Sequence, residues 1–249
     1  MEEEKKYRIL NRDVIKYIAM LTMLLNHIAT IFMETGTFWS EFFLDIGYFT
    51  AITMCYFLVE GFRHTRSKKK YGIRLAVFAL ISEIPYCLAF TEDGILEFYG
   101  LNMMFTLLIC FLILLAVERI ANRAARDAAV AGLTLLSLIS DWALLAPVFT
   151  LLFLWAEGSR EKTKAAFVFS TLLFGMFNFL GGVGRFPVGT NILYTLGSMA
   201  GIALAGIVIV CLYNGRRMKA GKNFSKWFFY FFYPLHLLLL GLLRIFLIV

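Results

Sequence analysis

The sequence predicts an all-α, polytopic integral membrane bundle of about nine transmembrane helices, N-terminus in the cytoplasm and C-terminus outside. Three observations predict it. Hydrophobic residues fill 60% of the 249 positions, with a mean hydropathy of +0.76, whereas soluble domains hold about half. Apolar runs near membrane-spanning length recur from end to end, leaving no soluble domain and no linker. Basic residues fall on alternate connections between those runs.

The runs lie at roughly 14–33, 38–61, 71–90, 99–117, 128–140, 142–156, 164–181, 190–213 and 226–249. The N-terminal stretch MEEEKKYRILNRD is too charged for a secretory signal, and no small-residue cleavage site follows the first run. The first segment is therefore expected to stay in the mature protein. Segments two to four follow as long apolar stretches broken by the basic cluster RHTRSKKK and the polar TEDG. The fifth and sixth are short and meet at Ser140-Asp141. A span needs about 17 to 25 residues, so they read as two thin spans, a helical hairpin or two re-entrant halves. The last three are again of full length. Phe (26) and Tyr (11) are abundant, as suits lipid-facing and interfacial positions.

Loop charge sets the orientation. Of the 24 Lys and Arg, all but Arg185, Lys16 and Arg244 lie at the N-terminus or in the connections around 63–74, 119–126, 160–164 and 216–226. The positive-inside rule puts those connections in the cytoplasm. Strict alternation also counts segments five and six separately. The protein is thus expected in the cell inner or plasma membrane as a multi-pass chain.

The net charge of +7 follows from cytoplasmic loops that face anionic membrane lipid. Nucleic-acid binding needs a basic face on a folded soluble module, and the sequence has none. Cys55, Cys87, Cys110 and Cys211 stand singly, without CxxC spacing, so neither a disulfide nor a zinc site is expected. No His/Asp/Glu cluster has ligand spacing, so no metal is expected. Gly197 and Gly201 read as small-residue helix packing. The loop GGVGRFPVG follows no strand, so its glycines do not make a phosphate loop.

Ionisable residues at membrane depth are costly and mark functional sites by default. Lys16 and His27 are eleven residues apart, close to three helical turns, so both project from one face roughly 16 Å apart along the axis. A cation near the cytoplasmic mouth and an imidazole deep in the same groove suit a long ligand with an anionic head. Coenzyme A has that shape. The plainer reading is that Lys16 snorkels to lipid phosphate and His27 hydrogen-bonds across helices. Arg63 and Arg66 mark the inner end of the second segment, and Arg74 opens the third. Glu83 follows about two and a half turns later, near mid-depth, where a carboxylate needs a partner. A histidine would answer it and gain a fixed tautomer, making His27 with Glu83 a candidate dyad. Asn102 and Asp141 fall on the outer side, as acceptor contacts or as helix caps. His236 lies at mid-depth in the ninth segment, and Pro234 is expected to kink or loosen the helix beside it.

At these residues the chain resembles a known family. The runs IKYIAMLTMLLNHIATIF, FLVEGFRHTRSKKKYGIRLAVFALISEIPYCLAF, LNMMFTLL, SDWALLAPVFTLL and FFYPLHLL together resemble the TraX family, named for F-pilin N-terminal acetylation. The Lys16-x10-His27 pattern is also similar to the basic-x10-His motif of the integral-membrane acyltransferase type three group. The resemblance implies one transmembrane acyltransferase-like domain over 1–249 and an acyl-CoA-dependent acetyltransferase. Acetyl-CoA would enter as donor substrate from the cytoplasm. Lys16 would help bind it, His27 would be catalytic, and Arg63 and Arg74 would face the CoA phosphates.

Residues and resemblance together imply a role for each candidate. Catalysis falls to His27, with Glu83 and His236. Donor binding falls to Lys16, Arg63, Arg66 and Arg74. An acceptor amine or hydroxyl, on a peptide or a glycan, meets Asn102 and Asp141. His27 serves either as general base or as a covalent acetyl carrier. The alternative is a proton-coupled transporter or flippase using the buried His and Glu. Such proteins often show two matching halves, which this sequence lacks. A third reading is an inactive acyltransferase kept as an assembly partner.

Overall fold

The structure, a computed structural model, describes residues 7–92, 94–218 and 221–248. Lys5, Lys6 and Lys219 of the charge pattern lie outside these residues. Among the described residues there are nine α-helices and no β-strand. They are α1 (Arg12–Phe32), α2 (Phe38–His64), α3 (Lys68–Phe90), α4 (Met103–Arg119), α5 (Arg123–Leu136), α6 (Leu145–Ala156), α7 (Arg160–Gly182), α8 (Val188–Ile207) and α9 (Lys222–Ile248). A 3-10 turn (Ser137–Ile139) follows α5, and a π-turn (Val208–Leu212) extends α8.

The starts of these helices have local causes. Asn11 caps α1, its Oδ1 accepting the N–H groups of Asp13 and Val14 at 3.0 Å each. Ser67, Asn102, Asn122 and Ser159 cap α3, α4, α5 and α7 in the same way. The fourth apolar run begins at 99 in the sequence, but helix begins only at Met103. Gly100 sits at φ +128°, a conformation few other residues adopt, and Asn102 is extended. Pro85 and Pro234 lie inside α3 and α9, and each helix runs on through its proline.

Among the described residues, six helices are long and apolar enough to cross a membrane: α1, α2, α3, α7, α8 with its π-turn, and α9. The other three have 17, 14 and 12 residues. α5 buries no residue at all.

The chain divides into two compact units, Met1–Thr53 with Ala156–Lys226, and Met54–Trp155 with Trp227–Val249. In lipid, helices gain little by burying apolar surface, so small residues and interhelical hydrogen bonds join them. The first unit illustrates this. A Cβ on Gly197 would run into the Asp45 carboxylate, and one on Gly201 into the Asp45 backbone carbonyl. The two glycines thus let α8 lie directly on α2. Gly175 meets Met199 and Gly182 meets Asn191, joining α7 to α8. Between α1 and α2, the Thr22 and Thr50 hydroxyls are 3.0 Å apart, and Asn26 Nδ2 donates to the Leu44 carbonyl at 3.0 Å.

The second unit has an aromatic and aliphatic interior. Phe57, Phe62, Phe111, Ile113 and Phe149 are almost wholly buried. Gly72 makes room for the Phe111 ring, and Gly241 for the backbone at Leu88 and Ala89. Arg244, one of the basic residues outside the charge pattern, is 4% exposed. Its Nε donates to the Leu88 carbonyl at 3.1 Å and its Nη2 to those of Gly94 and Ile95 at 3.2 and 3.0 Å. A cation at the C-terminal carbonyls of α3 is favourably placed in the helix dipole.

Candidate functional site

α1 is one unbroken helix from Arg12 to Phe32. The eleven-residue interval therefore holds Lys16 and His27 on one face, roughly 16 Å apart along the axis. His27 is buried at 9% exposure, and Lys16 is half-buried nearer the N-terminal end.

In the second unit the basic residues gather at one end of α2 and α3. Arg63 and Arg66 are exposed. Lys68 forms an ion pair with Glu118 and stands over the Phe62 ring, 4.2 Å from its centroid. Arg74 lies over the Tyr71 ring at 5.7 Å, and its Nε is buried without a hydrogen-bond partner. Buried guanidinium donors are nearly always paired, so an unmet one marks a place for an acceptor.

Further along α3, Glu83 meets Asn102. Its Oε2 accepts from Asn102 Nδ2 at 2.6 Å and from the Asn102 backbone N–H at 3.2 Å. Asn102 is wholly buried. Its Nδ2 also donates to the Ala79 carbonyl at 2.8 Å, while its Oδ1 accepts the Met104 N–H at 2.9 Å. Asn102 is thus both the cap of α4 and the partner of a carboxylate. The pairing of Glu83 with His27 expected from sequence joins residues of different units; within its own unit Glu83 answers to Asn102.

Tyr233 completes this cluster. Its hydroxyl accepts the Met103 N–H at 3.1 Å, and its ring centroid lies 5.7 Å from that of His236, one turn on. His236 Nδ1 stands 2.8 Å from the Phe232 carbonyl, so the proton sits on Nδ1. The ring also stacks on Phe232, with centroids 4.8 Å apart.

Asp141 borders the same cluster, and its charge acts on the hydroxyls of Tyr86, Tyr99 and Tyr233. Burial pushes its carboxyl up to about 6, opposed by the Trp142 N–H, which favours the ionised form. The Asp141 N–H donates to the Leu101 carbonyl at 2.8 Å, and its carbonyl accepts the Thr106 hydroxyl. It does not cap α6, which starts four residues later. The two residues flanking Ala143, Trp142 and Leu144, sit at φ +57° and +59°. Left-handed backbone costs such residues about 1–2 kcal/mol each and tends to be kept where function needs it.

Sequence reasoning missed Tyr233 and the strain at 142–144. The FFYPLH motif drew attention to Pro234 and His236, although Tyr233 is one residue from the first. Cys55 and Cys110, far apart in sequence, also meet through their buried thiols. Among the described residues no three His, Cys, Asp or Glu side chains gather as a metal would require.

The sequence model described as TraX protein matches residues 11–244. The chain is 29% identical over 248 residues to a probable fimbrial assembly protein FimC, serogroup H1, of Dichelobacter nodosus, covering 94% of this chain and 95% of that one. No solved structure matches it. Six helices able to span a membrane and a family match over nearly the whole length make this a multi-pass inner-membrane protein that belongs to the TraX family.

Proposed function

We propose that this protein is an integral-membrane acetyltransferase that moves an acetyl group from cytoplasmic acetyl-CoA to an acceptor amine or hydroxyl near the outer side. The observation that carries the reading is the pair on α1: a half-buried Lys16 and a buried His27, three turns apart on one unbroken helix. Lys16 attracts the anionic end of the donor. His27 acts as general base, taking the proton of the acceptor N–H or O–H as that atom attacks the thioester carbonyl. The C–S bond then breaks and CoA leaves as the thiolate.

Arg63, Arg66 and Arg74 supply cations for the CoA phosphates, and the unmet Arg74 Nε supports a bound anion there. Asn102 and Asp141 belong to the acceptor side, and Glu83, an orienting carboxylate, and His236 are the further catalytic groups. The loop charges favour an orientation with the N-terminus in and the C-terminus out. The fimbrial name of the Dichelobacter relative favours a peptide acceptor over a glycan.

The test is acetyl exchange from radiolabelled acetyl-CoA by detergent-purified protein. Loss of label transfer in His27→Ala, with weaker donor binding in Lys16→Ala, is expected. Full activity in a well-folded His27→Ala protein would sink the assignment. Gradient-driven uptake without any CoA requirement would point to transport instead.

A further inference from the structure

The N-terminal end of α1 carries an arrangement beyond the residues assigned above. Asp13, in the first turn, engages partners far along the chain. Its Oδ2 accepts the Met218 N–H at 2.8 Å, and its Oδ1 accepts the Ser225 hydroxyl at 2.7 Å. Ser225 is wholly buried. Backbone bonds tie the other edge of the same segment: Leu10 N–H to Leu212 O at 3.0 Å, Asn214 N–H to Leu10 O at 2.9 Å, and Arg12 N–H to Arg216 O at 2.9 Å.

A connection between two helices normally runs loose over the surface. This one is fixed to α1 along residues 212–218. The π-turn Val208–Leu212 delivers it, a rare helical geometry that recurs at functional sites. Gly215 turns it at φ +71°, and Asn214 Oδ1 accepts the Arg216 N–H at 2.9 Å. The segment carries two exposed guanidinium groups, Arg216 and Arg217. Lys16 lies one turn beyond Asp13, close enough for its charge to act on that carboxylate.

Phosphoryl groups are best held by several cations whose backbone is already fixed, since ordering a mobile loop on binding weakens affinity. Arginine adds a planar fork that meets phosphate oxygens in pairs. With both oxygens occupied by Ser225 and Met218, Asp13 acts as an anchor.

We propose that segment 213–218, latched to α1 by Asp13, is a phosphoryl-binding element. In it Arg216 and Arg217 join Lys16 in holding a phosphate group, and Asp13 is the positioning residue. This rests on the reading of Lys16 as a donor-binding residue. The phosphoryl group comes either from the CoA moiety or from an anionic-lipid headgroup.

The test uses the full chain in nanodiscs, of phosphatidylcholine alone or with phosphatidylglycerol. CoA affinity and the rate of tryptic cleavage after Arg216 and Arg217 are both measured. In the wild type, CoA is expected to slow cleavage in neutral discs. The double variant R216Q/R217Q should weaken CoA binding about tenfold or more. D13N should weaken it severalfold and hasten cleavage of the unliganded protein. Equal CoA affinity in the wild type and both variants would overturn the inference and leave the donor reading standing. A wild type that binds no CoA would sink the donor reading. Protection by phosphatidylglycerol would then still support a phosphoryl site of lipid origin, and protection by neither would overturn it.

Discussion

Asn102 Nδ2 donates to Glu83 Oε2 at 2.6 Å, joining the cap of α4 to a carboxylate on α3. One residue thereby ends an extended stretch, starts a helix and satisfies a charge. Asn102→Ala removes the cap, worth about 1 kcal/mol. It also removes the Nδ2 donor of Glu83, which keeps only the backbone N–H of residue 102, so the total loss is expected to reach about 2–3 kcal/mol. Asn102→Ala with Glu83→Gln should be less damaging than the separate losses added together. Thermal unfolding of the four proteins in detergent measures the coupling, and simple additivity would show that the pair does not act as a unit.

Asp141 gives a pH signature. Its folded pKa, about 6, is raised above the ordinary 3.8. Above pH 6 the folded state therefore carries an ionised group that burial disfavours. Stability contributed by this residue rises as pH falls from about 7 towards 4 and levels off once the unfolded carboxyl is protonated too. Asp141→Asn should flatten that slope and raise neutral-pH stability by on the order of 2 kcal/mol. Melting curves between pH 4 and 8 test this, and an unchanged slope in the variant would refute it.

For Arg74 the critical atom is Nε, buried and unmet. Arg74→Lys keeps the charge and loses that donor. CoA affinity is expected to fall about tenfold, the worth of one charge-assisted hydrogen bond. Isothermal titration with CoA checks it, and wild-type affinity in the lysine variant would remove Arg74 from the donor site.

Gly201 lies where a Cβ would strike the Asp45 carbonyl, a backbone atom that cannot rotate away. Gly201→Ala should cost about 1–3 kcal/mol through overpacking. At Gly132 a Cβ meets nothing within 4 Å. Gly132→Ala should be neutral or mildly stabilising, since alanine is the better helix former. Detergent melting temperatures of the two variants give the comparison.

Much of the architecture was legible because lipid imposes simple rules on sequence. Length and hydropathy gave the approximate positions of the nine helices among the described residues; Gly100 and Asn102 defer the start of α4 from 99 to Met103, and α5 starts at Arg123 rather than 128. The Lys16–His27 alignment was legible too, since helical periodicity alone places both on one face. Depth marked Glu83 as a carboxylate that needs a partner, and chemistry suggested a histidine. The asparagine that the structure brings to it, from nineteen positions along the chain, was not legible.

By itself the sequence determined the membrane class, the helices and the residues whose burial had to be answered, because periodicity, apolar length and charge act locally along a chain. Only the tertiary structure decided which distant groups answer them. Asp13 finds Ser225, Tyr233 finds the Met103 N–H, and Arg244 finds the end of α3. Those choices depend on which helices pack together and at what height. In a membrane that is set by small-residue contacts and shared hydrogen bonds, which leave no periodic trace in the sequence.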